Sequence, residues 1–245
     1  MSATPPSVHV TLRIPGAWSH PGELVERLPA GCRLTPETLR LPDGAELEFI
    51  PMPPDDQFPD IFASSCRQPA TDDELATVGR YTVNIGLKGP GGSLAEAHTL
   101  MRAAAAIVQA GGAGVFIDNS ALAHGGGHWL ALTDDGGPDA LSFAFVAIVS
   151  GEDELWTMGL HVLGFPDIVM RRSDVGPDGE EIIEVIRYVC RGDRPIADGD
   201  LLGDEHGPRF QAAATASDEW SAGSPMHNPF GRLKLTSLKD IAEGN

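Results

Sequence analysis

SLAEAHTLMRAAAAIVQAGGAGVFIDNS, residues 93–120, is the stretch whose reading decides the fold class. Ser93 is placed to cap a helix, Glu96 three residues on can reach back to the cap amide, and Gly111 with Gly112 supplies the stop. Leu94, Ala97, Met101, Ala104, Ala105 and Val108 recur at spacings of three and four. They form a stripe of mostly small side chains that lets the helix pack close to a sheet. AGVFIDNS (113–120) follows as a buried strand, and GRYTVNIGLKGP (79–90) precedes as another, which makes a β-α-β unit.

Toward the N-terminus, VHVTLRIP (8–15) alternates apolar and polar residues, the period of a strand with one buried face. HPGELVERLP reads as a short helix opened near Pro21, and residues 33–52 as two strands turning at Asp43-Gly44. Residues 51–78 are dense in proline and aspartate (PMPPDDQFPD, QPATDDE) and read as a linker or excursion. That divides the chain into an N-terminal α+β portion, 1–78, and a domain spanning 79–245.

Toward the C-terminus, LSFAFVAIVSG (141–151) and LWTMGLHVLG (155–164) read as a hairpin across the polar GED. EEIIEVIRYVCRG (180–192) is a helix with Ile182, Ile186 and Val189 on one face, acids in its first turn and Gly192 beyond its end. DLLGD, the stretch around Arg209-Phe210, and GRLKLTSL (231–238) supply short strands. This order predicts an α+β fold, a mixed and mostly antiparallel sheet with a few packed helices. A β-α-β-β order echoed in each half would give two ferredoxin-like halves.

The chain carries 35 acidic against 17 basic side chains, a formal charge of −18. Such a surface repels nucleic acid and anionic membranes, and it suits a basic protein partner. The 29 glycines and 20 prolines imply many loops. MSATPPSVHVTL lacks the basic and apolar regions of a signal peptide, and no apolar run approaches the roughly 20 residues of a membrane helix, so a cytoplasmic location is expected. Cys32, Cys66 and Cys190 are far apart with no CxxC, which fits neither a disulfide framework nor a zinc knuckle.

AHGGGHW (123–129) is the motif that bears most on chemistry. His124 and His128 are candidate ligands for a divalent metal, with Asp118 or His161 completing the three or four that zinc takes. Three successive glycines disfavour a helix, however, so the i, i+4 spacing has no fixed meaning here. HGGG also resembles the oxyanion-hole loop of esterases, yet the chain has no G-x-S-x-G elbow to supply the nucleophile. GPGGS before the helix lacks the Lys-Ser or Lys-Thr of a phosphate loop. Asp55, Asp56 and Asp60, and likewise Asp72, Asp73 and Glu74, read as solvated charge runs, and DGD (198–200) as a turn. No organic cofactor is expected.

Residues 79–238 resemble the bacterial domain-of-unknown-function family 4261 in the order of elements and in specific words. Thr157, Gly159, Gly164, Pro166 and Asp167 fit the family's T-x-G-hydrophobic … F-G-x-P-acid pattern, followed by a helix ending in RYVCRGD and the DGD turn. The chain departs from it at Leu163-Gly164-Phe165, where the aromatic follows the glycine, and at DNSALAHGGGHW. The resemblance implies a bacterial α+β domain and brings no catalytic residues. The expected role is a non-catalytic binding module of immunity or stress-associated type, recognising another protein through its acidic face. The alternative is a metal-dependent hydrolase built on Asp118, His124, His128 and His161.

Overall fold

The computed structural model describes residues 6–192, 194–204, 207–217 and 219–243. Alternation in VHVTLRIPG makes β1 (Val8–Gly16), whose Val8, Val10, Leu12 and Ile14 face the core. Next come α1 (Pro21–Arg27), β2 (Arg33–Leu34), β3 (Thr38–Arg40) and β4 (Glu46–Met52). The turn between β3 and β4 contains Gly44 at φ +92°, as the Asp-Gly pair predicts.

The segment read as a linker folds instead into α2 (Phe58–Ser65) and α3 (Asp72–Val78). Its proline falls in the first turn of α2, where a missing amide hydrogen costs nothing. Phe58 and Phe62, one turn apart, bury into a small second core with Val78, Tyr81, Ala113 and Ala123. Composition suggested a loop; helical spacing of the phenylalanines decides otherwise.

β5 (Val83–Gly91), α4 (Leu94–Gln109), β6 (Gly114–Ile117) and β7 (Leu122–Gly125) complete the first sheet. Its order is β2-β3-β4-β5-β1-β6-β7, and all its pairings are antiparallel. Because β1 lies between β5 and β6, the crossover through α4 is split by a strand from the N-terminal portion. The division expected at residue 78 therefore falls within the span of one sheet. Strands β4-β5-β1-β6, with α1 and α4 as crossovers, have the ferredoxin-like order.

Ser93 caps α4 by accepting the amide of Glu96 at 3.2 Å, whereas the Glu96 carboxylate turns to the Ser93 hydroxyl (3.0 Å), not to the cap amide. Burial on α4 extends beyond the predicted stripe to Leu100, Ala103, Ala106 and Ile107. The helix is packed between the sheet on one side and α5 (Gly126–Asp135) and α6 (Pro138–Phe145) on another. Five buried alanines along it, Ala97 and Ala103 to Ala106, keep those approaches close.

The second sheet comprises β8 (Ala147–Ser150), β9 (Glu154–Met158), β10 (Asp167–Arg171), β11 (Leu201–Asp204), β12 (Gly207–Thr215) and β13 (Arg232–Ser237). A 3-10 turn, Leu160–Leu163, follows β9; α7 (Glu180–Arg191) links β10 to β11, and α8 (Leu238–Glu243) follows β13. Residues 141–151, expected as one strand, thus split into α6 and β8. The hairpin across GED forms as expected between β8 and β9.

The order is β11-β12-β13-β10-β9-β8, antiparallel except where β10 meets β13 in parallel. That parallel pair corrects the expectation of a second ferredoxin-like half. The meander after α7 carries one strand more than such a unit, so its last strand reaches β10 on the same heading. No helix among the described residues is long and apolar enough to cross a membrane.

Candidate functional site

The glycines of AHGGGHW form a strand-to-helix junction. β7 ends at Gly125, which is the N-cap of α5, and Gly126, Gly127 and His128 make the first helical turn. The glycines therefore do enter a helix, at the end where their backbone amides are free to bond elsewhere. This brings the His124 and His128 rings together edge to face, with centroids 5.3 Å apart.

His124 is fully buried and its Nε2 lies 2.9 Å from the carbonyl oxygen of Ala144. A carbonyl only accepts, so Nε2 carries the hydrogen and Nδ1 is a lone pair, which has no hydrogen-bond partner. Burial pulls this imidazole down to about 4. His128 is lowered as well, by burial and then by the positive charge of Arg67, and its Nδ1 is also buried without a partner. Phe143 packs edge-on against His128 at 5.4 Å, and Trp129 is core, donating its indole N–H to Met101 (3.1 Å).

The other two expected ligands stand elsewhere. Asp118 is held in a two-pronged ion pair by Arg13 of β1, at 2.7 and 3.0 Å. His161 is buried in the 3-10 turn, with Nε2 donating to the carbonyl of Pro225 (3.0 Å) and burial drawing it down to about 4. Asn119 spends both amide hydrogens on His9 and Pro225 carbonyls, so its 3.2 Å approach to His161 is a contact between donors. Among the described residues no three His, Cys, Asp or Glu side chains are grouped to hold a metal ion.

Two residues that the sequence reading passed over organise the junction. Glu74, read as part of a solvated acid run, accepts the amide of Gly127 (2.8 Å) with one oxygen and that of Thr71 (2.8 Å) with the other. Burial pushes its carboxyl up, but the Gly127 and Thr71 bonds outweigh that and hold it below the usual range. A side chain on Gly125 would push this carboxylate aside, so the glycine leaves Glu74 room to reach the Gly127 amide. The oxyanion-hole likeness of HGGG thus has a physical basis, with the chain's own carboxylate as the anion. Thr71-x-x-Glu74 is a capping box, a signal present in the sequence. Arg67 donates to the carbonyls of Phe143 (2.7 Å) and Val146 (2.9 Å) and lies over the Phe143 ring, fastening α6 to the segment after α2.

The words TMG and GFPD build a buried polar knot. The Thr157 hydroxyl donates to Asp167 (3.0 Å) and accepts the amide of Ile168 (2.8 Å); Asn228 donates to the second Asp167 oxygen (2.8 Å) and to the Phe165 carbonyl (3.0 Å). Burial raises Asp167 to about 6, against the pull of these donors. Gly159 (φ +106°) and Gly164 (φ +92°) pass so close to the carbonyls of Phe145 and Gly92 that a side chain at either would collide. Gly164 thereby sets the 3-10 turn against the chain that follows β5, and Gly159 sets the end of β9 against α6.

On the surface, an open trough of about 530 Å³ runs between α7 and β11. Its floor is Val185, Tyr188, Leu201 and Leu202, with Tyr188 and Leu201 42% and 57% exposed, and its rim carries Glu180, Glu181 and Glu184. No protein-family model, curated protein or solved structure matches the chain.

Proposed function

We propose that the chain is a binding module that recognises a basic segment of another protein, in the manner of an immunity or stress-associated protein, and that family 4261 is its relative. The observation that carries this reading is the commitment of three of the four candidate site residues to the scaffold. Asp118 is bound to Arg13, His124 to the Ala144 carbonyl and His161 to the Pro225 carbonyl. An excess of 18 negative charges supplies attraction for a basic partner and raises its rate of encounter. The test is capture from cells at low salt, identification of what is retained, and reconstitution of the pair by light scattering. A stoichiometric complex that dissociates as salt rises is the expected result; failure to form a defined complex contradicts the reading.

A second reading, metal-dependent hydrolysis, has one observation in its favour: His124 and His128, with rings 5.3 Å apart, each have a buried Nδ1 without a hydrogen-bond partner. Elemental analysis of protein purified without chelator, beside the His124→Ala, His128→Ala double variant, tests it. One metal per chain that disappears in the variant supports it, and metal-free wild type ends it.

A further inference from the structure

We propose that His124 and His128 together hold a single copper(I) ion through their Nδ1 nitrogens. This rests on the metal half of the second reading above, names its ion and sets hydrolysis aside. Each Nδ1 is buried without a hydrogen-bond partner, and the two residues flank the glycine junction, one in β7 and one in the first turn of α5. An ion held at about 2 Å by two imidazole nitrogens sets the ring centroids roughly 5 to 6 Å apart. Theirs are 5.3 Å apart, with the planes turned by 65°.

The hydrogen bonding prepares His124 for this role. It gives its Nε2 hydrogen to the Ala144 carbonyl (2.9 Å), the kind of outer bond that fixes the tautomer and direction of a metal-ligating histidine. On His128 the hydrogen can sit on Nε2, which leaves Nδ1 as the second lone pair. Burial holds both imidazoles below the usual histidine range, His124 down to about 4, so neither lone pair is lost to a proton at neutral pH.

Ligand number and charge select the ion. Among the described residues no third His, Cys, Asp or Glu is grouped with the pair, whereas structural zinc takes four ligands and calcium or magnesium takes oxygens. Arg67 acts on both histidines as a positive charge, and on His128 it outweighs Glu74. That charge opposes a doubly charged ion twice as strongly as a singly charged one. Trp129 and Phe143 pack against the pair, which walls it with aromatic rings. Copper(I), singly charged with a filled d shell, accepts two or three ligands and takes imidazole nitrogen. His161 supplies the contrast: its Nε2 also donates to a carbonyl and its Nδ1 also has no partner, but the group beside it is the donor amide of Asn119 (3.2 Å). His227, which acts on it too, has its own Nδ1 bound to the Trp220 carbonyl (3.0 Å).

The test uses the full chain without oxygen, with copper(I) supplied from the coloured chelator bathocuproine disulfonate. The expected result is one copper(I) per chain withdrawn from the chelator, with X-ray absorption showing nitrogen and no sulfur around the metal. The sulfur reading is needed because Cys32, Cys66 and Cys190 are free thiols. His128→Ala is expected to weaken binding at least tenfold, and His161→Ala to leave it unchanged. Failure to withdraw copper, a sulfur shell, or equal binding by His128→Ala overturns the proposal; the first two need no variant. Zinc held by the wild type and lost in the double variant, with copper(I) refused, overturns it and leaves the second reading standing. Copper(I) taken up on nitrogen by a chain that is metal-free when purified supports it and ends the second reading.

Discussion

Glu74 of α3 accepts the amide of Gly127, 53 residues later in the first turn of α5, at a distance of 2.8 Å. One carboxylate therefore terminates two helices, since its other oxygen accepts the amide of Thr71. Both helix N-termini favour a negative charge at that point.

Removing this carboxylate leaves two sets of helix amides without an acceptor. Glu74→Ala is expected to lower stability by about 2 to 3 kcal/mol and Glu74→Gln by about 1 kcal/mol, the first being the sum of two ordinary cap losses. Urea denaturation measures both. Equal losses in the two variants would show that charge, and not the retained acceptor, decides.

Asn228 fixes the chain after β12 by donating to Asp167 (2.8 Å) and Phe165 (3.0 Å). Asn228→Ala strips a buried carboxylate of a donor, with an expected loss of about 2 to 3 kcal/mol. In a double-mutant cycle with Thr157→Val, which removes another Asp167 donor, the two losses are expected to be less than additive. Strict additivity would mean that Asp167 does not couple them.

Gly159 and Gly179 both hold positive φ, at +106° and +69°, but only Gly159 stands against another backbone group. Gly179→Ala is expected to cost about 1 kcal/mol, the strain of the left-handed region alone. Gly159→Ala adds a collision with the Phe145 carbonyl and is expected to cost at least about 3 kcal/mol. Comparable midpoints for the two would contradict the account of how the end of β9 is set against α6.

Acid response follows from the buried histidines. His124 and His161 titrate at about 4 when folded, below the roughly 6.5 of an unfolded chain, so their contribution is complete above that value and lost as pH falls toward 4. Asp167, raised to about 6, works in the opposite sense: its contribution is present below about 4 and lost as pH rises through 6. Near pH 5 to 6 the unfolded chain holds about one more proton on these three groups than the folded chain does, so stability should fall by about 1.4 kcal/mol per unit on acidification. Urea midpoints at pH 7, 6 and 5 give the slope; His161→Gln should flatten it, and a rise on acidification would contradict the assignment.

Strong local signals carried much of the fold. Alternation in β1, the Ser93 cap of α4 and the Asp43-Gly44 turn each state one conformation in a few residues. α6 was illegible because Leu141, Phe143 and Phe145 alternate like a strand, while Ala140, Leu141, Ala144 and Phe145 are what the helix buries. β10 was passed over because Ile168, Val169 and Met170 are all buried, and a continuous apolar run has no period to read. The site shows the same division. The His124–His128 pair was visible as a spacing, but its surroundings come from Glu74, Arg67 and Phe143, whose approach depends on pairing between distant strands. Asp118 and His161 fit a ligand set by residue type alone; Arg13 and Pro225 claim them.

Capture of a partner from cells at low salt, with hydrogen exchange on the resulting complex, tests the central claim most directly. The account predicts a stoichiometric complex with a basic protein that dissociates as salt rises and leaves the His124–His128 junction unchanged. Failure to form such a complex would contradict it, and so would protection centred on the junction, which would return AHGGGHW to the centre of the protein's function.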